Sequence, residues 1–170
     1  MKYVIGLLML VTVLTACKKK NDDSCPYSVE NTSASAQEEA VVTDYITANS
    51  ITGTTELGTS GLYYAIDAPG NTNKPALCNT IVAKYTGKLA NGTIFDQTTG
   101  ASTASFTLGG LIEGWNRTLP LIGEGGKIRL YIPSSLGYGA TGSFNPNTGL
   151  YTIPPNAMLI FDVEIVTVYK

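Results

Sequence analysis

Residues 80–96 read TIVAKYTGKLANGTIFD. From Thr80 to Ala90 apolar and polar side chains alternate, the period of a half-buried strand. Asn91-Gly92 follows, a pair that suits a type I′ turn because both residues tolerate positive φ. Ile94-Phe95-Asp96 then opens a return strand. This hairpin also sets a carboxylate, Asp96, directly after an aromatic in a chain with only 14% charged residues. Asp96 is either turn punctuation or the polar edge of a site.

The flanking sequence has the same texture. LYYAID (62–67) and ASFTLGG (104–110) carry short strands, and APGNTNKP (68–75), between the first of them and the hairpin, is turn chemistry. KIRLYIP (127–133) sets Ile128, Leu130 and Ile132 against Lys127, Arg129 and Tyr131. AMLIFDVEIVTVY (157–169) sets Leu159, Phe161, Val163 and Ile165 against Asp162 and Glu164. One helical stretch interrupts: Ile112, Trp115, Leu119 and Ile122 mark a single face. Upstream, Ser35-Ala-Gln-Glu38 has the form of a capping box and predicts a helix over 36–49, with Val41, Tyr45 and Ala48 as its apolar stripe. These elements predict an α+β domain over 60–170, an antiparallel sheet covered on one face by a short helix. A helical segment over 35–59 precedes it, and no internal repeat is present.

Composition removes several function classes. A net charge of −2 and a pI near 5.0 leave no polycationic face for nucleic acid. The chain has no histidine, so the commonest general base near neutral pH and the commonest metal ligand are both missing. A serine or cysteine nucleophile would lack its imidazole. The three cysteines lack metal-site spacing, and no cofactor motif stands out. GEGGK (123–127) joins a helix to a strand, the reverse of a phosphate loop, and reads as a cap and turn.

The N-terminus carries an address. A brief basic start precedes VIGLLMLVTVL (4–14), too short to span a bilayer and of signal-core length. Leu14-Thr15-Ala16-Cys17 resembles the lipobox of bacterial lipoproteins, in which the cysteine is acylated and becomes the mature N-terminus; the alternative is an ordinary cleaved signal. Residues 1–16 are then the signal peptide and 17–34 a polar tether. Several acyl chains on Cys17 would hold the protein at a membrane far better than one. KKKNDDS (18–24) has no aspartate next to Cys17, so retention at an inner membrane is not indicated. The expected location is the cell envelope, outer membrane included, facing the periplasm or the surface. With Cys17 lipidated, Cys25 and Cys78 either pair in an oxidising compartment or remain two thiols. A bridge between them would contribute roughly 4 kcal/mol by loop-closure entropy.

Aromatic placement is the remaining signal. Tyr85, Phe95, Phe106, Trp115, Tyr138 and Phe161 lie on separate elements that one core would gather. They form plain core or an apolar pocket with a few polar groups. YTGKLANGTIFD (85–96), FTLGG and LIEGW (106–115), GYGATG (137–142) and IPPNAMLIFDVEI (153–165) resemble the FKBP-type peptidyl-prolyl cis-trans isomerases, with the motifs in family order.

The resemblance implies an antiparallel half-barrel wrapped around a short helix, with the site between them. By position within the motifs, Trp115 would be the floor and Tyr85, Phe95 and Phe161 the walls. Leu111 and Ile112 would stand at the helix entrance, where the Ile112 N–H would hold the substrate carbonyl. Tyr138 would sit on the lip with its hydroxyl near Asp96, and Ile153 would close one side. The implied partners are proline-containing unfolded or partly folded polypeptides and macrolide ligands, with no cofactor or metal. Ala104 and Leu136 stand where the family usually has aromatics. SFNPNTGLYT (143–152) is longer than the usual loop and lacks a histidine often found at its tip. These departures bear on substrate preference and macrolide affinity. A second reading is a lipid-anchored binding or holdase module on the same fold, with little turnover.

Overall fold

The computed structural model describes residues 25–170. The signal peptide and lipobox expected at 1–17 lie outside the described residues. Within them the elements are α1 (Ala36–Ala48), β1 (Thr55–Glu56), β2 (Tyr63–Ala68), β3 (Thr80–Leu89), β4 (Ile94–Gln97) and β5 (Ala104–Thr107). These are followed by α2 (Glu113–Thr118), β6 (Lys127–Ile132), β7 (Ser143–Asn145), β8 (Leu150–Ile153) and β9 (Leu159–Tyr169). Seven strands build one antiparallel sheet in the order β1-β2-β6-β9-β3-β4, with β5 on the same edge of β3 as β4. The fold is α+β, as the alternation and turn chemistry predict.

β3 and β9 are the longest pair, running from Thr80 opposite Tyr169 to Leu89 opposite Leu159 with one register shift between Val82 and Ala83. The period-2 pattern of β9 explains its place. Leu159, Phe161, Val163 and Ile165 are buried, whereas Asp162 and Glu164 face out and pair with Lys88 at 2.9 Å and Lys127 at 3.4 Å. Such exposed pairs each contribute about 1 kcal/mol or less, so the apolar face decides the register. α2 packs on that face, its Trp115 in one cluster with Leu119, Ile122, Leu130, Ile132 and Phe161.

The structure departs from expectation in five places. α1 ends at Ala48 and its capping box forms, with the Glu38 N–H donating to Ser35 Oγ and the Ser35 N–H to Glu38 Oε2. Its buried residue is Val42, however, while Val41 is 52% exposed. Val42, with Tyr45 and Ile46 beside it, packs on Tyr131 and Ile160. The sheet therefore has cover on its second face as well, and Tyr131, expected on the polar side, is buried there by α1. The turn after β3 is a three-residue loop: the Leu89 N–H donates to the Thr93 carbonyl and the Gly92 N–H to Leu89. Only Gly92 of the Asn-Gly pair takes positive φ, 85°, so the turn is not type I′. Asn91 instead accepts the Thr93 N–H on its side chain.

Strand β1 lies in a stretch expected to be helical, and residues 143–153 form a second, two-stranded sheet rather than an open loop. Both were hidden by brevity, since two to four residues carry too little pattern.

The fifth departure is residues 25–34, expected as tether. They are docked. Cys25 and Cys78 are disulfide-bonded, the Arg117 guanidinium donates to the carbonyls of Glu30 and Thr32, and the Ala34 N–H donates to Ser60. GEGGK is a connector: the Gly123 N–H donates to Pro69 and the Gly125 N–H to Ile165, tying two loops to β9.

Candidate active site

A cavity of about 370 Å³ opens between α2 and the sheet, lined by Tyr85, Phe95, Asp96, Phe106, Gly110, Leu111, Ile112, Trp115, Tyr138 and Phe161. Five segments supply these residues. β3 carries Tyr85, β4 carries Phe95 and Asp96, and β9 carries Phe161 on its inward face. The segment from β5 through the entrance of α2 carries Phe106, Gly110, Leu111, Ile112 and Trp115. Tyr138 arrives on the loop after a short 3-10 turn at Ser134–Leu136.

Trp115, only 4% exposed, is the floor. Its indole meets Tyr85, Phe106 and Phe161 edge-to-face, with centroids at 5.5, 6.1 and 5.2 Å. Perpendicular packing sets the positive edge of one ring on the negative face of the next, which fixes their relative orientation. The indole N–H is buried and has no hydrogen-bond partner among the described residues. Phe95 meets Phe161 at 5.5 Å, also perpendicular.

This last contact depends on a glycine. A methyl at Gly87 would lie 2.6 Å from the Phe95 ring and 2.8 Å from Phe161. In the ladder Gly87 faces Asp96 on one side and Phe161 on the other. A bare backbone at that point lets the two rings close over the strand. A glycine inside an otherwise alternating strand is the signal that could have singled it out.

The polar edge is a single pair. The Tyr85 hydroxyl donates to Asp96 Oδ2 at 2.6 Å. Burial, and then the bond to Asp96, push the Tyr85 phenol well above its ordinary value of about 10. Burial and the charge of Asp96 push the Tyr138 phenol up as well. Asp96 is thus an acceptor for Tyr85, while Tyr138, expected near Asp96, feels its charge without a hydrogen bond to it. The reason is local: Tyr85 and Asp96 lie on adjacent strands two positions out of register, within reach of a long side chain. Ile112 is the N-cap of α2, and its carbonyl accepts from the N–H groups of Trp115 and Asn116. Its own N–H makes no hydrogen bond among the described residues.

Of the nine expected pocket residues the cavity gathers Tyr85, Phe95, Asp96, Leu111, Ile112, Trp115, Tyr138 and Phe161. Ile153 is a correction: it is 3% exposed and packed in the main core rather than on the cavity wall. Gly110 is an addition, and Phe106, one of the dispersed aromatics but not one of the nine, is set beside Tyr85 only by the pairing of β5 with β3, Phe106 opposite Ile81.

A second cavity, about 280 Å³, lies over Asp67, Arg129, Lys127, Asp162 and Glu164, whose charges are taken up in ion pairs. Among the described residues no group of three potential ligands could hold a metal ion, and no helix is long and apolar enough to cross a membrane. The arrangement offers an apolar slot, one polar edge and a free backbone donor, with no nucleophile aimed into it. It suits binding and conformational chemistry.

Comparison with known proteins agrees with this geometry. The model of the FKBP-type peptidyl-prolyl cis-trans isomerase family matches residues 71–166. The chain is 40% identical over 110 residues to a probable FKBP-type peptidyl-prolyl cis-trans isomerase of Haemophilus influenzae, covering 64% of this chain and 43% of that protein. It is 33% identical over 147 residues to the FKBP-type peptidyl-prolyl cis-trans isomerase FkpA of Aeromonas hydrophila, covering 83% and 52%. Among solved structures, the crystal structure of FkpA from Escherichia coli superposes with a TM-score of 0.65 at 36% identity, over 79% of this chain and 60% of that one. The chain thus spans about half the length of the curated relatives it matches. Motif order, sheet topology and the aromatic cavity agree with the family match, and the chain belongs to the FKBP-type peptidyl-prolyl cis-trans isomerase family.

Proposed function

We propose that this protein catalyses cis/trans isomerisation of X–Pro bonds in unfolded or partly folded polypeptides of the bacterial cell envelope, anchored by lipid on Cys17. The observation that carries the reading is the cavity: three rings packed edge-to-face on Trp115, closed at one edge by the Tyr85–Asp96 pair.

The chemistry needs no proton donor. Rotation about the X–Pro bond is opposed by amide resonance, a barrier of about 18–20 kcal/mol. Each tenfold of rate asks for about 1.4 kcal/mol. At the transition state the amide is twisted and its charge separation is smaller than in the planar form, so an apolar slot favours it over the ground state. Proline fills the slot over Trp115 between Phe95, Phe161 and Tyr85. The Ile112 N–H holds a substrate carbonyl, and the Tyr138 hydroxyl takes a neighbouring group at the lip. Asp96 fixes the Tyr85 ring by accepting its hydroxyl proton bond and presents a negative edge to the turning amide, without acting as acid or base. Macrolides that mimic a twisted prolyl amide are the ligand class expected to compete. The lipobox, the signal-core length of residues 4–14 and the Cys25–Cys78 bridge support an envelope location.

A second reading has its own observation. Phe144, Leu150 and Tyr151 on the β7–β8 hairpin are 53, 69 and 49% exposed, and an uncharged apolar patch of this kind suits a holdase with little turnover. The experiment that separates the two is cis/trans exchange of short X–Pro peptides, measured on the full-length protein in detergent. Acceleration over the solvent rate, lost in Phe95→Ala, supports the isomerase. Exchange at the uncatalysed rate with intact polypeptide binding would leave the holdase.

A further inference from the structure

One feature of the cavity mouth comes from outside the family-matched residues 71–166. The docked segment 25–34 is fixed at both ends. At one end the disulfide joins it to Cys78. Next to Cys78, the Leu77 and Asn79 carbonyls accept the N–H groups of Gly109 and Leu108, so the bridge anchors the segment to the turn that leads into the cavity. At the other end Arg117 of α2, itself paired with Glu113 at 2.7 Å, holds the Glu30 and Thr32 carbonyls. Between these points the base of the Tyr27 side chain, Cβ and the adjoining ring atoms, lies against Gly109, where a methyl group would collide with it. Its hydroxyl is 3.8 Å from the place a Gly110 side chain would occupy. Gly110 in turn lines the cavity. Tyr27 remains 39% exposed, and its neighbours Pro26, Ser28 and Val29 carry no charge.

We propose that Tyr27 is an outer subsite of the pocket, contacting residues of an extended client polypeptide that flank the prolyl pair. This rests on the isomerase reading above. The occupant is a polypeptide because the Tyr27 hydroxyl stands beside Gly110, a residue of the cavity wall, and because a ring with a hydroxyl tip, in neutral surroundings, meets peptide backbone and apolar side chains without regard to charge. Tyr27 adds reach beyond the slot: a four-residue peptide ends inside the cavity, whereas a longer one crosses the Gly109–Gly110 turn.

The test uses full-length protein in detergent with the disulfide intact, a tetrapeptide containing one X–Pro bond, and a twelve-residue peptide built on the same core. For Tyr27→Ala, kcat/KM on the long peptide is expected to fall about fivefold, through KM, while the tetrapeptide value moves less than about twofold. Tyr27→Phe separates ring from hydroxyl, and retention of most of the long-peptide advantage assigns the contact to the ring. Gly109→Ala, which pushes the ring away, is expected to reproduce the long-peptide loss in the wild-type background and to add nothing in Tyr27→Ala. Equal losses on both peptides would overturn the subsite, because Tyr27 would then only support the turn, and no loss on either would overturn it too. If neither peptide is turned over by the wild type, the isomerase reading has failed; long-peptide affinity then decides the subsite, with a weakening of about fivefold in Tyr27→Ala sustaining it. An unchanged affinity, or a change only in partition to phosphatidylcholine vesicles, sinks it.

Discussion

The cavity and the β7–β8 hairpin each hold aromatic rings packed edge to face. Phe95 and Phe161 stand 5.5 Å apart at 86°, and Phe144 and Tyr151 stand 5.2 Å apart at 65°. The pairs differ in what lies behind them. Phe161 is 5% exposed and rests on Trp115, and Gly87 puts no side chain between it and Phe95. Phe144 and Tyr151 are about half exposed and cross a two-stranded ribbon with no third layer. Ring pairing by itself is therefore no mark of a site. A concave wall needs rings from several elements converging on a floor, and only the large sheet supplies that convergence. The hairpin offers a surface that can stick but not enclose, so it cannot exclude water from a twisting amide.

That contrast can be broken or sharpened by substitution. The largest effect is expected for Trp115→Ala. Removing a buried indole that touches three other rings costs about 3–5 kcal/mol, read as a shift in the urea midpoint, and abolishes exchange of X–Pro peptides. A midpoint that barely moves would mean that the cavity floor is not part of the core. Gly87→Ala comes next. Forcing Phe95 and Phe161 apart costs about 1–3 kcal/mol by overpacking, and proline turnover falls with it in the same series. If the Gly87→Ala protein keeps wild-type stability and activity, the two rings do not depend on a bare strand.

Asp96→Ala and Tyr85→Phe each break the one polar edge, at a cost of about 1–2 kcal/mol, or roughly tenfold in kcat/KM with the fold retained. The pH dependence carries the same pair. Tyr85 is pushed up, so its contribution to stability is complete below about 10 and is lost as pH rises through the folded-state value. Melting temperature should therefore drop further between pH 8 and 11 in the wild type than in Tyr85→Phe, whereas catalysis stays flat from about pH 6 to 9, where neither phenol titrates. A bell-shaped profile in that range would point to acid–base chemistry that the site lacks. The smallest effect belongs to the hairpin: Phe144→Ser with Tyr151→Ser is expected to change stability by less than about 0.5 kcal/mol and to leave tetrapeptide exchange alone. A large loss would move the hairpin from surface to machinery.

Legibility followed the same divide. The strands that alternate over six or more residues, β3, β6 and β9, are readable because period 2 is a property of the backbone and needs no knowledge of partners. The capping box of α1 is likewise local. The face that α1 buries is not: Val41 and Val42 are adjacent and equally apolar, and only Tyr131 and Ile160 on the far side of the sheet choose between them. Ile153 was assigned by its place in a motif, yet β8 turns it into the core. Tyr85 rather than Tyr138 takes the Asp96 acceptor because strand pairing, which sequence order does not express, brings them together.

What the sequence by itself determined was the longer strands and both helices, which depend on residue type and short-range spacing, the absence of imidazole chemistry and, through the resemblance carried by its motifs, most of the rings in the pocket. Tertiary structure alone decided that Phe106 and Gly110 belong to the cavity, that Ile153 does not, and that residues 25–34 lie docked beside its mouth. Each of those outcomes rests on contacts between residues far apart in the chain, whose geometry is set by the sheet and by the Cys25–Cys78 bridge across 53 positions, and long-range geometry of that kind leaves no periodic trace in any one segment.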